Sequence, residues 1–262
     1  MFGLFSKKNS NECPIEPEMR LWMENSFLWL ATQFGHDNIA TKPILLPTQE
    51  HFPIRYDGSQ ESLVKSAEIV ARQMELDINE INVDTYDQNI QEISGDFGHR
   101  IWTEIDKDSD EKLSAGLYFG KNDQGKYDIF IEKSNLSDGE NLIATLAHEF
   151  SHIKILGEQR LDFNDEQLTD LTPVVFGLGI FNANSSFKEH KSLDGYGHKS
   201  IGYLNQREWG YALALYAFFK QEESPDWIKF LTPNIRSDYK RSMDFILANT
   251  DKVFIEEYKG GS

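Results

Sequence analysis

The stretch Thr145-Leu146-Ala147-His148-Glu149-Phe150-Ser151-His152-Ile153 decides how the rest of this chain is read. On an α-helix, positions four apart lie one above the other on the same face. His148 and His152 therefore point at one metal ion, and Glu149, one step round the helix, reaches a water beside that ion. Zinc favours imidazole nitrogen and, where it is catalytic, keeps one coordination position open. The flanks suit a buried helix: Leu142 to Ala147 before the motif and Ile153 to Leu156 after it are largely apolar. Ser137, followed three residues later by Glu140, reads as a capping box at the helix start. Gly157 stands where a C-terminal cap is wanted.

Two histidines leave a metal site incomplete, and the next segment supplies carboxylates. Glu158 to Asn164 is polar and reads as a turn, after which a second helix starts at Asn164 or Asp165. Glu166 and Asp170, four apart, share a face of that helix. Acidic residues at a helix start are also favoured by the helix dipole alone. H-E-x-x-H followed on a later helix by E-x-x-x-D resembles the gluzincin class of zinc metallopeptidases. That resemblance makes His148, His152 and Glu166 the ligands of a zinc ion and Glu149 the catalytic base. It makes Asp170 an outer carboxylate that accepts the N–H of a liganding histidine, His148 first, and so fixes its tautomer. Residues 153–165, thirteen in all, separate His152 from Glu166. This gap is shorter than in thermolysin-like enzymes; it permits one tight reversal and leaves Asp170 as the alternative to Glu166 in the ligand set. Glu158 and Asp162, in the turn, are weaker candidates.

A wider pattern, over Ile44 to Pro47, Thr145 to Glu158, Glu166 to Ala183 and Gly202 to Phe218, resembles a family of uncharacterised bacterial H-E-x-x-H proteins. Together these resemblances imply an α+β, zincin-like fold: a small mixed or antiparallel sheet, an H-E-x-x-H helix and a helical C-terminal lobe. Residues 1–15 read as a loose lead-in. Residues 16–262 then form one domain, with an α/β lobe over about 16–136 and the helical lobe over about 137–255.

Bulk properties narrow the partners. A chain of 262 residues, 39% of them hydrophobic, buries a sizeable core. With 43 acidic against 26 basic residues, its formal charge of −17 repels phosphate backbones and argues against nucleic acid. The same charge either serves solubility or attracts basic substrate segments. No apolar run approaches the length that spans a bilayer, so stable membrane insertion is not expected. The start, Met1 to Lys8, has its positive charges after its apolar residues, the wrong order for a secretory signal. A single cysteine, Cys13, excludes an internal disulfide framework and fits a reducing cytoplasm.

The remaining elements follow from periodicity and turn chemistry. Pro17 to Phe34, closed by Gly35, reads as a helix; Ala40 to Leu46 reads as a short strand. Ser59 to Met74 reads as an amphipathic helix with Leu63, Ala67, Ile69 and Val70 inward, and Ile81 to Tyr86 as a strand. Ser114 to Phe119, a turn at Asn122 to Gly125, and Tyr127 to Glu132 read as a hairpin. In zincin-like folds an edge strand near this place pairs with an extended peptide, which by resemblance assigns Tyr127 to Glu132 or its neighbour that task. Asn182 to Tyr203 reads as a long loop. If that loop folds over the metal, Tyr203 or His198 is the donor for an oxyanion. Gln206 to Phe219 is a helix with an aromatic stripe, and Pro225 to Phe230 and Ile235 to Ala248 complete a helical end.

The expected activity is hydrolysis of a peptide or protein substrate, with metal-activated water attacking the scissile carbonyl and Glu149 handling the proton. Two rival expectations are a zinc-bearing binding protein without turnover, marked by a fourth ligand such as His190 or His198, and a metal-dependent hydrolase of a non-peptide substrate.

Overall fold

The computed structural model describes residues 12–86, 115–186 and 204–254, together with four short strands between them. In chain order the helices are α1 (Pro17–Phe34), α2 (His36–Thr41), α3 (Gln60–Gln73), α4 (Gly139–His152), α5 (Glu166–Val175), α6 (Gly179–Ser185), α7 (Gln206–Phe219) and α8 (Pro233–Ala248). The strands are β1 (Ile81–Tyr86), β2 (Glu92–Ser94), β3 (Arg100–Trp102), β4 (Gly116–Lys121), β5 (Tyr127–Glu132), β6 (Glu189–Ser192) and β7 (Gly195–His198). The protein is therefore mixed α+β. No helix among the described residues is long and apolar enough to cross a membrane.

By their contacts the residues form two compact units, one of residues 47–169 and one of residues 1–46 with 170–262. The first unit is built on a three-stranded sheet in the order β1-β5-β4. β1 runs parallel to β5, with Ile81 opposite Tyr127 and Tyr86 opposite Glu132; β4 runs antiparallel to it, with Gly116 opposite Ile131. All six residues of β5 are buried, as a central strand requires. α3 packs on β1 and on α4, and α4 packs on β4 and β5. Leu63, Ala67 and Val70 line the buried face of α3, whereas Ile69 is only half-buried. On α4, Leu142, Leu146 and Phe150 are completely buried, each contributing roughly 1.5–3 kcal/mol from removal of apolar surface.

The second unit is helical. α7 is buried over Glu208–Ala217 and packs on α6 and α8. Its contact with α8 is close because Gly210 has no side chain: a Cβ there would stand 2.6 Å from Asp238 Cβ and 2.8 Å from the Asp238 carbonyl carbon. α1 packs its Phe27 ring against Tyr216 and Phe219, and its buried Glu24 accepts the Tyr211 hydroxyl at 2.6 Å. Cys13 is half-buried, and that burial raises its thiol pKa, which leaves it a poor nucleophile.

Several sequence expectations need correction. Ala40 and Thr41 end helix α2, and no strand follows over 42–46. The segment read as a long loop begins inside α6 and then forms the antiparallel pair β6-β7. β5 is central and so is not the edge of its sheet; its neighbour β4 is.

Candidate metal centre

α4 starts on Asp138 rather than on the expected Ser137. Asp138 Oδ1 accepts the backbone N–H groups of Glu140 and Asn141 at 3.0 and 3.2 Å, whereas the Ser137 hydroxyl donates back to the Ser134 carbonyl. The far end also differs from expectation. The chain leaves α4 at His152 through a wider π-helical turn, Ile153–Gly157, and the left-handed residue that stops it is Gln159 at φ 57°. Gly157 serves another purpose: a Cβ on it would come within 2.8 Å of the Tyr127 ring, whose hydroxyl donates to the Gly157 carbonyl at 3.0 Å.

The π turn and the loop after it bring α5 back toward the histidines. Asp165 caps α5, its Oδ1 accepting the Leu168 N–H at 3.0 Å, and Glu166 is therefore the first helical residue. His148 and His152 stand one turn apart with ring centroids 5.1 Å apart and planes nearly perpendicular. Glu166 Oε2 lies 3.3 Å from His148 Nε2 and 3.7 Å from His152 Nε2. One ligand atom from each of the three residues falls within 4.8 Å of the others, so this group could hold a metal ion. Ligands bonded at 2.0–2.1 Å around a tetrahedral ion stand about 3.4 Å apart. The two separations are close to that spacing, and one carboxylate with two imidazoles is a donor set that a divalent metal ion accepts.

Electrostatics divide the two glutamates. A hydrogen bond from His148, assisted by one from Asn164 and by the charge of the histidines, holds the Glu166 carboxyl at about 2 against the opposing effect of burial. It is ionised, as a ligand must be. Glu149 is only 5% exposed, and burial pushes its carboxyl up to about 7; His148 opposes that rise and Glu166 adds to it. The two neighbouring carboxyls are thus pushed in opposite directions, Glu166 down and Glu149 up.

The other anticipated residues fall as follows. Glu158 is occupied by cations, accepting from Lys154 Nζ and Arg160 Nη2 at 2.7 Å each, and Asp162 is exposed. Asp170 is 1% exposed, and its Oδ2 accepts the Leu204 backbone N–H at 3.0 Å. His190 and His198 are placed only as strand residues of β6 and β7, their side chains lying outside the described residues, and Tyr203 lies outside them altogether.

Three residues not anticipated also meet the site. Gly116 of β4 lies against the Glu149 carboxylate, Tyr118 stacks on the His152 ring, and Asn164 Nδ2 donates to Glu166 Oε1 at 2.8 Å. A glycine within a strand is a sequence signal of close backbone approach, so Gly116 was legible in principle. Nothing in the spacing marks Tyr118 or Asn164.

The fold and site thus define an α+β protein with a His-His-Glu group able to take a metal ion. No family model matches the chain, and no curated protein or solved structure matches it either.

Proposed function

We propose that the protein is a zinc-dependent metallopeptidase with a zincin-like fold of the gluzincin type, hydrolysing peptide bonds with Glu149 as general base. One observation carries this reading. A buried carboxylate with a pKa near neutrality stands next in sequence to one of three metal-ligating side chains whose donor atoms lie within 4.8 Å of one another. A purely structural zinc site has no need of such a group, which favours hydrolysis over a binding role.

His148, His152 and Glu166 would hold the ion. When bound, zinc supplies a Lewis acid that polarises the scissile carbonyl and lowers the pKa of a water toward neutrality. Glu149 accepts the proton of the attacking water on its carboxylate and returns it to the leaving amine, a cycle served by a carboxyl that titrates near neutral pH. The ionised Glu166 would contribute one negative charge to the ligand set of such an ion. β4, the outer strand of the described sheet on the side of α4, offers main-chain groups to an extended peptide. Asp170 as the outer partner of a histidine, and Tyr203 or His198 as oxyanion donor, remain expectations of the resemblance.

Metal analysis of purified protein, joined to a peptide-library cleavage assay, tests the proposal. One zinc per chain and chelator-sensitive cleavage are expected, with Glu149→Gln retaining zinc and losing cleavage by at least about a hundredfold. Iron in place of zinc refutes the metal assignment, and an active Glu149→Gln protein refutes the base.

A further inference from the structure

β4 packs on α4, and two of its residues meet side chains of the candidate site. Gly116 is buried against the Glu149 side chain; a Cβ at this position would sit 2.6 Å from Oε1, 2.7 Å from Cγ and 2.9 Å from Cδ. Real Cβ atoms do not approach so closely, so any larger residue must displace the carboxylate or the strand. The backbone of Gly116 is not left-handed, so conformational freedom does not account for a glycine here. Two residues on, and therefore on the same face of the strand, Tyr118 stacks on the His152 imidazole with centroids 5.5 Å apart and planes 19° apart. Tyr118 has the Tyr127 ring 6.2 Å behind it, and Tyr127 is itself anchored to the π turn that follows His152.

We propose that β4 is the positioning element of this site, with Gly116 setting where the Glu149 carboxylate rests and Tyr118 setting the plane of the His152 ring. Strand and helix are joined by the rest of the packing, so their register carries over into the placement of one proton acceptor and one ligand. Glycine in a strand interior forgoes side-chain packing and costs chain entropy; here the space it leaves is filled by Glu149. A face-to-face aromatic neighbour limits rotation of the imidazole about its own bonds, keeping Nε2 turned toward Glu166, 3.7 Å away.

Two measurements test the two contacts. In metal-free protein, Gly116→Ala is expected to lower the thermal midpoint by roughly 3–10 °C. Combined with Glu149→Ala, the same substitution is expected to cost nothing, because the added methyl enters vacated space. An equal loss in both backgrounds, or failure of the double variant to fold, overturns the Gly116 assignment. Zinc affinity, read by competition with a chromogenic chelator, tests Tyr118. Tyr118→Phe keeps the ring and is expected to bind within about twofold of wild type, whereas Tyr118→Leu is expected to bind roughly three- to tenfold more weakly. Equal losses for Phe and Leu, or none for Leu, overturn the Tyr118 assignment. This second arm rests on the proposed metal site: wild-type protein that binds no zinc defeats that reading and the Tyr118 assignment together. The Gly116 and Glu149 cycle is decided without metal.

Discussion

Replacing Glu149 with Gln should stabilise the metal-stripped protein at alkaline pH and leave it almost unchanged at acid pH. The reason is the burial of the carboxylate. Glu149 has a pKa of 4.5 in the unfolded chain and about 7 in the folded one, raised chiefly by desolvation. Between those values the folded protein keeps a proton that the unfolded chain has released. Raising the pH through this window therefore favours unfolding, and the stability present below 4.5 is lost by the time pH has passed 7. At about 1.36 kcal/mol for each pH unit between the two values, the loss amounts to roughly 3 kcal/mol. A glutamine has nearly the shape of the protonated acid and does not titrate. The variant should match wild type near pH 4 and exceed it by roughly 6–12 °C in thermal midpoint near pH 8, using the proportion expected for a chain of this size. Calorimetry of both proteins after chelation, across that pH range, provides the test. Because every other group titrates in both proteins, the gap between them isolates position 149. A gap of the same size at both ends of the range, or a less stable variant at pH 8, would refute the argument that a buried charge is held here at the expense of stability.

Two further outcomes follow from single contacts. Asn164→Ala removes the donor that holds Glu166 Oε1 at 2.8 Å and should weaken zinc binding about tenfold or more, as loss of an outer hydrogen bond commonly does; in a Glu166→Ala background it should have no further effect, which chelator competition can measure. Gly210→Ala forces a methyl to within 2.6–2.9 Å of Asp238 and the Tyr239 backbone, and should destabilise by about 1–3 kcal/mol despite alanine's better helix propensity; an increase in thermal midpoint would contradict the close approach of α7 and α8.

Local pattern was enough to read α1, α7 and β5, whose bounds the hydrophobic spacing and flanking Gly, Pro or turn residues marked to the residue. It misread places where tertiary contacts outweigh propensity. Ala40 and Thr41 complete a short helix rather than opening a strand, and Gly157 is small because Tyr127 crowds it rather than because a cap requires it. The cap falls one residue later than the capping-box pattern implies: Asp138 accepts the first free N–H groups of α4, while the Ser137 hydroxyl donates to the Ser134 carbonyl.

From sequence alone it followed that two histidines share one helix at metal-ligand spacing with Glu149 beside the first, since a helix repeats every 3.6 residues and positions four apart share a face. What the order of residues could not decide was the long-range geometry. Glu166, the expected third member of the group, faces the two imidazoles because a π turn and a capped helix return it there; the open alternative Asp170 accepts the Leu204 N–H, and Lys154 and Arg160 occupy the weaker candidate Glu158. Nor could it foresee that an outer strand would press Gly116 and Tyr118 onto Glu149 and His152. Those contacts join residues some thirty apart, and their register depends on how a whole sheet packs beneath a helix rather than on any local period.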